Sequence, residues 1–190
     1  MEYYQEITLR PDAEIPLAFL WTKVFTQLHI AFVDEKNKNG HAPYAVSFPE
    51  YGETGVGEKI RVFAEEQELE KLDLSKVLGR LLDYVQYTGI RKVPEKKIKK
   101  YAVYSRYQPE GSIQRKARRY AKRHPEITAE EATQLLKTKK EPARLPYIQM
   151  KSLSSGKTFS LFIKKQTVPN PMSAEIGVYG LSNIGTVPEF

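Results

Sequence analysis

The stretch Leu17-Ala18-Phe19-Leu20-Trp21-Thr22-Lys23-Val24-Phe25-Thr26-Gln27-Leu28-His29-Ile30-Ala31-Phe32-Val33 decides the fold. Leu17, Leu20, Trp21, Val24, Phe25, Leu28 and Phe32 recur with the spacing of one helix face. Pro16, just before it, suits a first helical turn. Upstream, Glu6-Ile7-Thr8-Leu9-Arg10 alternates polar and apolar residues, as a half-buried strand does. Downstream, Asn37-Lys38-Asn39-Gly40 reads as the turn that ends this unit, with the helix reaching about Val33. Residues 44–48 form a second strand, closed by Pro49. Gly52, Gly55 and Gly57 mark a connection, and residues 59–64 alternate again as a third strand. Leu69, Leu72, Val77, Leu78, Leu81 and Leu82 make a second helical stripe, and residues 85–90 a fourth strand. The order β-α-β-β-α-β predicts a ferredoxin-like domain over residues 1–93. That fold hosts many functions and decides none.

The remaining residues, 94–190, are less regular and are expected to form a C-terminal α+β domain, a degenerate relative of the first. Residues 91–100 read as a basic linker and 101–108 as a strand or an extended run feeding the basic helix. Pro109-Glu110-Gly111 breaks that pattern, and Ser112 is a candidate N-cap for a helix over residues 113–124. Thr128-Ala129-Glu130-Glu131 is a capping box that opens another helix. Residues 147–152 and 158–165 read as a hairpin around Ser154-Ser155-Gly156, and 175–181 as a last strand. The whole is an α+β protein.

Charge divides the chain. Residues 1–90 carry 9 Lys and Arg against 15 Asp and Glu, whereas residues 91–190 carry 21 against 8. The excess gathers in residues 91–124, with 13 cations against 2 Glu. A scaffold half joined to a polyanion-binding half accounts for this split. On a helix, Arg115, Arg118, Arg119 and Lys122 share a stripe roughly 100° wide, which Lys116 and Arg123 widen to roughly 160°. Ile113, Ala117, Tyr120 and Ala121 fall opposite. Such a helix docks on its protein and faces a polyanion, for which nucleic acid fits best. A membrane surface fits poorly, because the cations are backed by small Ala residues and not by Leu, Phe or Trp. The A-form major groove admits side chains only near a loop or a helix end, so a short RNA hairpin suits this helix better than long duplex.

The absence of cysteine excludes disulfides and thiolate metal sites and fits a reducing cytoplasm. No basic-then-apolar leader opens the chain and no run approaches a membrane span, so a cytoplasmic protein with no membrane partner is expected. HExxH, paired histidines and a GK[ST] phosphate loop are all missing, so neither a metal nor a cofactor is expected. Three histidines remain. His41 lies in a turn-rich loop and His124 ends the basic helix, where a cation complements the dipole. His29 lies at the margin of the first apolar stripe. It reads either as a partly buried structural residue or as a ribonuclease acid–base group. RNA brings its own nucleophile, the 2′-hydroxyl, so such a ribonuclease needs neither a metal nor a serine nucleophile.

Several short motifs then fall in order: Leu9-Arg10-Pro11-Asp12, Leu28-His29, Val46-Ser47-Phe48-Pro49 and Ser105-Arg106-Tyr107-Gln108. The arginine-rich run ending Arg123-His124, the run from Ser154 to Ile163 and Tyr179-Gly180-Leu181-Ser182 complete the series. In this order and spacing the chain resembles the CRISPR-associated precursor-RNA-processing endoribonucleases of type I-F systems. The resemblance implies a metal-independent cut in the repeat hairpin of the precursor transcript that leaves a 2′,3′-cyclic phosphate. It also implies that the processed RNA stays bound, with other Cas subunits of a surveillance complex as partners. By the same resemblance His29 is the catalytic histidine, Ser152 holds the 2′-hydroxyl before the cut, and Tyr179 orients His29. Arg106 and Gln108 read base edges near the bottom of the stem, and Phe159 stacks on its last base pair. Arg115, Lys116, Arg118, Arg119, Lys122 and Arg123 line the helix that enters the groove.

Elementary chemistry agrees with part of this. Residues two apart on a strand point the same way, and Arg pairs with guanine as Gln does with adenine. Lys122 stands where the family has arginine, and lysine neutralises phosphate without a bidentate fork. Tyr107 and Pro109 flank the readout residue Gln108. Two rival functions are a non-catalytic ferredoxin-like RNA-binding module and a sequence-specific DNA-binding protein.

Overall fold

The computed structural model describes residues 1–138, 145–153 and 155–190, and the side chains of these except 109–112, 137 and 138. Two compact units divide the described chain: Met1–Arg106 with Pro146–Phe190, and Tyr107–Leu145.

The first unit is built on two antiparallel sheets. Strands β1 (Tyr3–Leu9), β2 (Ala45–Ser47), β3 (Lys59–Ala64) and β4 (Val85–Tyr87) run in the order β2-β3-β1-β4. A short strand β5 (Arg91–Lys92) pairs with the start of β1, and β4 with its end. The expected linker at 91–100 therefore holds a strand and a 3-10 turn, Glu95–Lys97. In the second sheet, β6 (Lys100–Tyr107), β7 (Tyr147–Lys151), β8 (Thr158–Val168) and β9 (Val187–Glu189) run in the order β7-β8-β6-β9. The expected hairpin is present as β7 and β8, with Ile148 opposite Leu161 and Met150 opposite Phe159. Ser154, named at its turn, lies outside the described residues.

Helix α1 (Leu17–Asn39) buries Leu20, Trp21, Val24, Phe25, Leu28 and Phe32. Burying each such side chain is worth roughly 1.5–3 kcal/mol, which makes this helix the centre of the unit. It packs on β7 as well as on β1. Phe25, Ile7 and Phe63 consequently share one hydrophobic cluster with Tyr104, Ile148 and Leu161 of the second sheet. The Tyr104 hydroxyl donates to Glu189, which also pairs with Lys165 at 2.7 Å. Burial, then the Glu189 carboxylate, pushes the Tyr104 phenol far above its ordinary range.

Four local expectations are corrected. Helix α1 continues past Val33 to Asn39, because Asp34 to Asn39 form a solvated extension rather than a turn. Asn39 donates to Glu35 within it, and Gly40, at φ 78°, closes it with an N–H bond to the Lys36 carbonyl at 2.8 Å. The second stripe is broken into α2 (Glu66–Leu72), α3 (Leu74–Val77) and a 3-10 turn, Gly79–Leu81, with Leu82 beyond it. Asp73 adopts φ 42° and caps α3 with its own carboxylate. The fourth strand ends at Tyr87, three residues short of Ile90. Residues 175–181 form no strand. Gly180, at φ 70°, turns the chain there, and the last strand is β9.

The second unit holds α4 (Pro109–Arg123) and α5 (Ala129–Thr138), packed on each other. Helix α4 starts at Pro109, with Gln108 at its N-cap, so Ser112 lies within the helix and is not its cap. A proline needs no amide partner in the first turn, which is why the apparent break is a beginning. Ala117 of α4 and Ala132 of α5 are fully buried. The capping box forms as expected: the Glu131 amide donates to Thr128 Oγ1, and the Glu131 carboxylate accepts from the Thr128 amide at 2.8 Å. Those bonds hold the Glu131 carboxyl below its ordinary range. No helix among the described residues is long and apolar enough to cross a membrane.

Candidate active site

His29 follows the buried Leu28 on α1 and is half-buried. Its Nδ1 lies 2.9 Å from the Val178 carbonyl oxygen. A carbonyl can only accept, so Nδ1 carries a proton and donates it. In the neutral ring that leaves the lone pair on Nε2. Tyr179 stacks on the imidazole, with ring centroids 4.2 Å apart and planes 9° apart. Two consecutive residues of one turn thus fix the tautomer and the plane of the histidine.

That turn is itself held by close packing. A Cβ on Gly180 would stand 2.6 Å from Val46 Cγ1 and 3.2 Å from Phe32 Cε2. The Gly180 carbonyl accepts from the Val46 amide at 2.9 Å, and the Gly177 amide donates to the Leu181 carbonyl at 2.9 Å. Positive φ and this approach together require glycine.

His29 and Tyr179 share a cleft of about 350 Å³ with Lys151, Ser152, Leu153 and Phe159. Ser152 stands at the head of the β7–β8 hairpin. Its amide donates to the Lys157 carbonyl at 2.9 Å, and its Oγ accepts from the Ser155 amide at 3.2 Å. The Arg106 guanidinium, at the end of β6, lies 5.4 Å from the Phe159 ring and 5.4 Å from the Tyr179 ring. Cation–π attraction links the three at this range. Residues from α1, β6, β8 and the 177–181 turn therefore converge. A second cavity of about 290 Å³, lined by Tyr101, Tyr104, Met172 and Ile176 among others, has no His, Lys or Arg in its wall.

The other expected residues belong to the second unit. Gln108 lies just past β6 and accepts from Arg115 Nη2 at 3.3 Å. The side chains of Arg115, Lys116, Arg118, Arg119, Lys122 and Arg123 are all exposed. Lys116, Arg118, Arg119, Lys122 and Arg123 make no ion pair among the described residues. Tyr120 stacks on His124, with centroids 4.3 Å apart, and His124 Nδ1 lies 3.1 Å from Glu126. That contact engages His124 at the helix end.

Chemically, the cleft offers a proton acceptor fixed on a rigid helix, a hydroxyl, and a cation held between two aromatic faces. The helix offers repeated exposed cations. Reading the sequence missed Val178 and Gly180. The first acts through its backbone oxygen, which leaves no signal in residue type. The second has a signal, a glycine just after an aromatic, which the strand expected at 175–181 hides. No group of three or more His, Asp or Glu among the described residues is arranged to hold a metal ion.

The chain matches the family described as "CRISPR-associated protein (Cas_Csy4)" over residues 4–190. It is 35% identical over 192 residues to an Escherichia coli (strain UTI89 / UPEC) protein named "CRISPR-associated endonuclease Cas6/Csy4", covering 100% of both chains. A Pseudomonas aeruginosa (strain UCBPP-PA14) protein of the same name is 35% identical over 196 residues, again with 100% of both chains covered.

Proposed function

The chain belongs to the CRISPR-associated Cas_Csy4 family, and from that premise we propose that it cuts a CRISPR repeat hairpin with the RNA's own 2′-hydroxyl as nucleophile. Membership makes it an endoribonuclease that processes precursor CRISPR RNA. The observation that carries the mechanism is the His29 ring, with its Nδ1 proton donated to Val178 and its plane stacked on Tyr179.

In the proposed reaction Nε2 of His29 takes the proton from the 2′-hydroxyl of the nucleotide before the cut. O2′ bonds to phosphorus, the P–O5′ bond breaks, and O5′ leaves as a hydroxyl. The proton that Nε2 takes from O2′ is returned to O5′ as the P–O5′ bond breaks, so the imidazole ends the step in the neutral form in which it began. The products are a 2′,3′-cyclic phosphate and a 5′-hydroxyl. No metal takes part, because RNA supplies the nucleophile and an imidazole handles the proton. Ser152 positions the 2′-hydroxyl and Tyr179 orients His29.

Phe159 stacks on the last base pair of the stem, while Arg106 and Gln108 read base edges there. The six cations of α4 hold the hairpin through phosphates near the opened groove. The division of labour runs between a ferredoxin-like part, residues 1–93, and an RNA-binding part, residues 94–190. Support for the first comes from the element order and the strand order β2-β3-β1-β4. The product RNA stays bound, and other Cas subunits join the complex.

The test is a repeat hairpin with a single 2′-deoxy substitution before the cut. The proposal expects wild-type binding, no cleavage, and 2′,3′-cyclic phosphate ends from the all-ribose control with EDTA present. Ends bearing 3′-hydroxyl and 5′-phosphate would contradict it.

A further inference from the structure

The solvent side of the β7–β8 hairpin has no part in the reaction above. Alternation sends Ile148, Met150, Leu161 and Ile163 into the core. It leaves Tyr147, Gln149 and Lys151 of β7 beside Thr158, Ser160, Phe162 and Lys164 of β8 on the other face. The strand register pairs them directly: Lys151 with Thr158, Gln149 with Ser160, and Tyr147 with Phe162. Tyr147 is 56% exposed, and its ring packs against Phe162 with centroids 5.4 Å apart. Ser160 Oγ donates to Gln149 Oε1 at 3.2 Å. No Asp or Glu occurs in this row, and Lys164 and Lys151 are exposed.

We propose that this face carries the single-stranded RNA on the 3′ side of the cut. Three features of this face select that occupant. Lys151 lines the cleft and also opens the row, so the face is continuous with the site beside Ser152. The charge is purely cationic, which complements phosphate. The order of groups is a cation, then a polar pair, then an aromatic pair, spaced about 7 Å per step along the strand. Exposed aromatics on a sheet beside cations form a stacking platform for unpaired bases, tolerant of their sequence. The inference rests on the RNA-cleaving reading above.

The experiment uses the full chain and a hairpin made uncleavable by 2′-deoxy substitution before the cut. Affinity is measured with no flank, with four unpaired nucleotides 3′ of the cut, and with four unpaired nucleotides 5′ of the stem. The expected result is that the 3′ flank tightens binding about tenfold in the wild type. Tyr147→Ala removes that gain and leaves the flankless affinity unchanged, and Tyr147→Trp restores it. Tyr147 is exposed, so folding of the variant is checked by its flankless binding. A 3′ flank that adds nothing, a gain that survives Tyr147→Ala, or an equal gain from the 5′ flank each overturns the inference. So does an effect of Tyr147→Ala confined to association with another protein subunit, which assigns the face to a protein partner. Failure of the wild type to bind any hairpin would instead overturn the reading of the site itself.

Discussion

The cleft around His29 and the helix α4 use opposite means. His29 is one side chain, fixed in tautomer by a backbone carbonyl and in plane by Tyr179, on a helix with six buried anchors. The cations of α4 are many, exposed, and set on a helix whose fully buried described residue is Ala117. On the proposed reading proton transfer needs one atom in one place, and the Val178 carbonyl and the Tyr179 ring hold the imidazole for it. Phosphate binding needs charge density over a surface, and long cationic side chains supply it without a fixed geometry. A chain that separates the two tasks allows each to be altered without the other.

The largest expected effect lies on the chemical side. His29→Ala slows single-turnover cleavage by about 10²–10⁴-fold, while hairpin affinity by filter binding stays at the wild-type level. Equal losses of rate and affinity would merge the two regions. Next comes the helix. Arg118→Ala with Arg119→Ala weakens binding on the order of a hundredfold at physiological salt. The same variant lowers the slope of log affinity against log salt by about 1.5, which a titration from low to high salt measures. An unchanged slope would remove α4 from the phosphate contacts.

Gly180→Ala probes the support of the site. The added methyl meets Val46 at 2.6 Å, so the turn must shift and carry Val178 and Tyr179 with it. The saturated cleavage rate falls roughly tenfold with hairpin affinity kept, and the His29 ring nitrogen signals move in NMR spectra. Thermal denaturation separates this from simple unfolding. The smallest effect belongs to Lys122→Arg. A guanidinium gains bidentate geometry toward phosphate, so binding tightens by about two- to threefold with the saturated rate unchanged.

What the sequence revealed follows from how each element announces itself. Helix α1 up to Val33, strand β3 and the β7–β8 hairpin were legible because burial imposes a period on them. The 169–186 segment was not. Its Pro, Gly, Ser and Asn residues show no period, and its place is set by tertiary bonds such as Val46 N–H to the Gly180 carbonyl. Asp73 concealed the break in the second helical stripe, since the flanking leucines keep helical spacing across it. His29 was visible as a chemically able residue at the edge of an apolar stripe, though its structural role and its chemical role looked alike. Ser152, Tyr179 and Phe159 were ordinary residues in segments that read as ordinary strands, and only the resemblance singled them out. The Val178 carbonyl could not be seen at all, because every residue has one. The arginine stripe of α4 was plain from charge, since residues 114–124 hold six Lys and Arg and no Asp or Glu.

The separation of cutting from holding is tested most directly by the cleavage rate of the Arg118→Ala, Arg119→Ala protein at saturating concentration, with His29→Ala measured beside it. If α4 only holds the hairpin, saturation restores the wild-type single-turnover rate to the arginine variant and leaves His29→Ala slow. An arginine variant that stays slow when every hairpin is bound would contradict the account, and would place α4 within the chemistry.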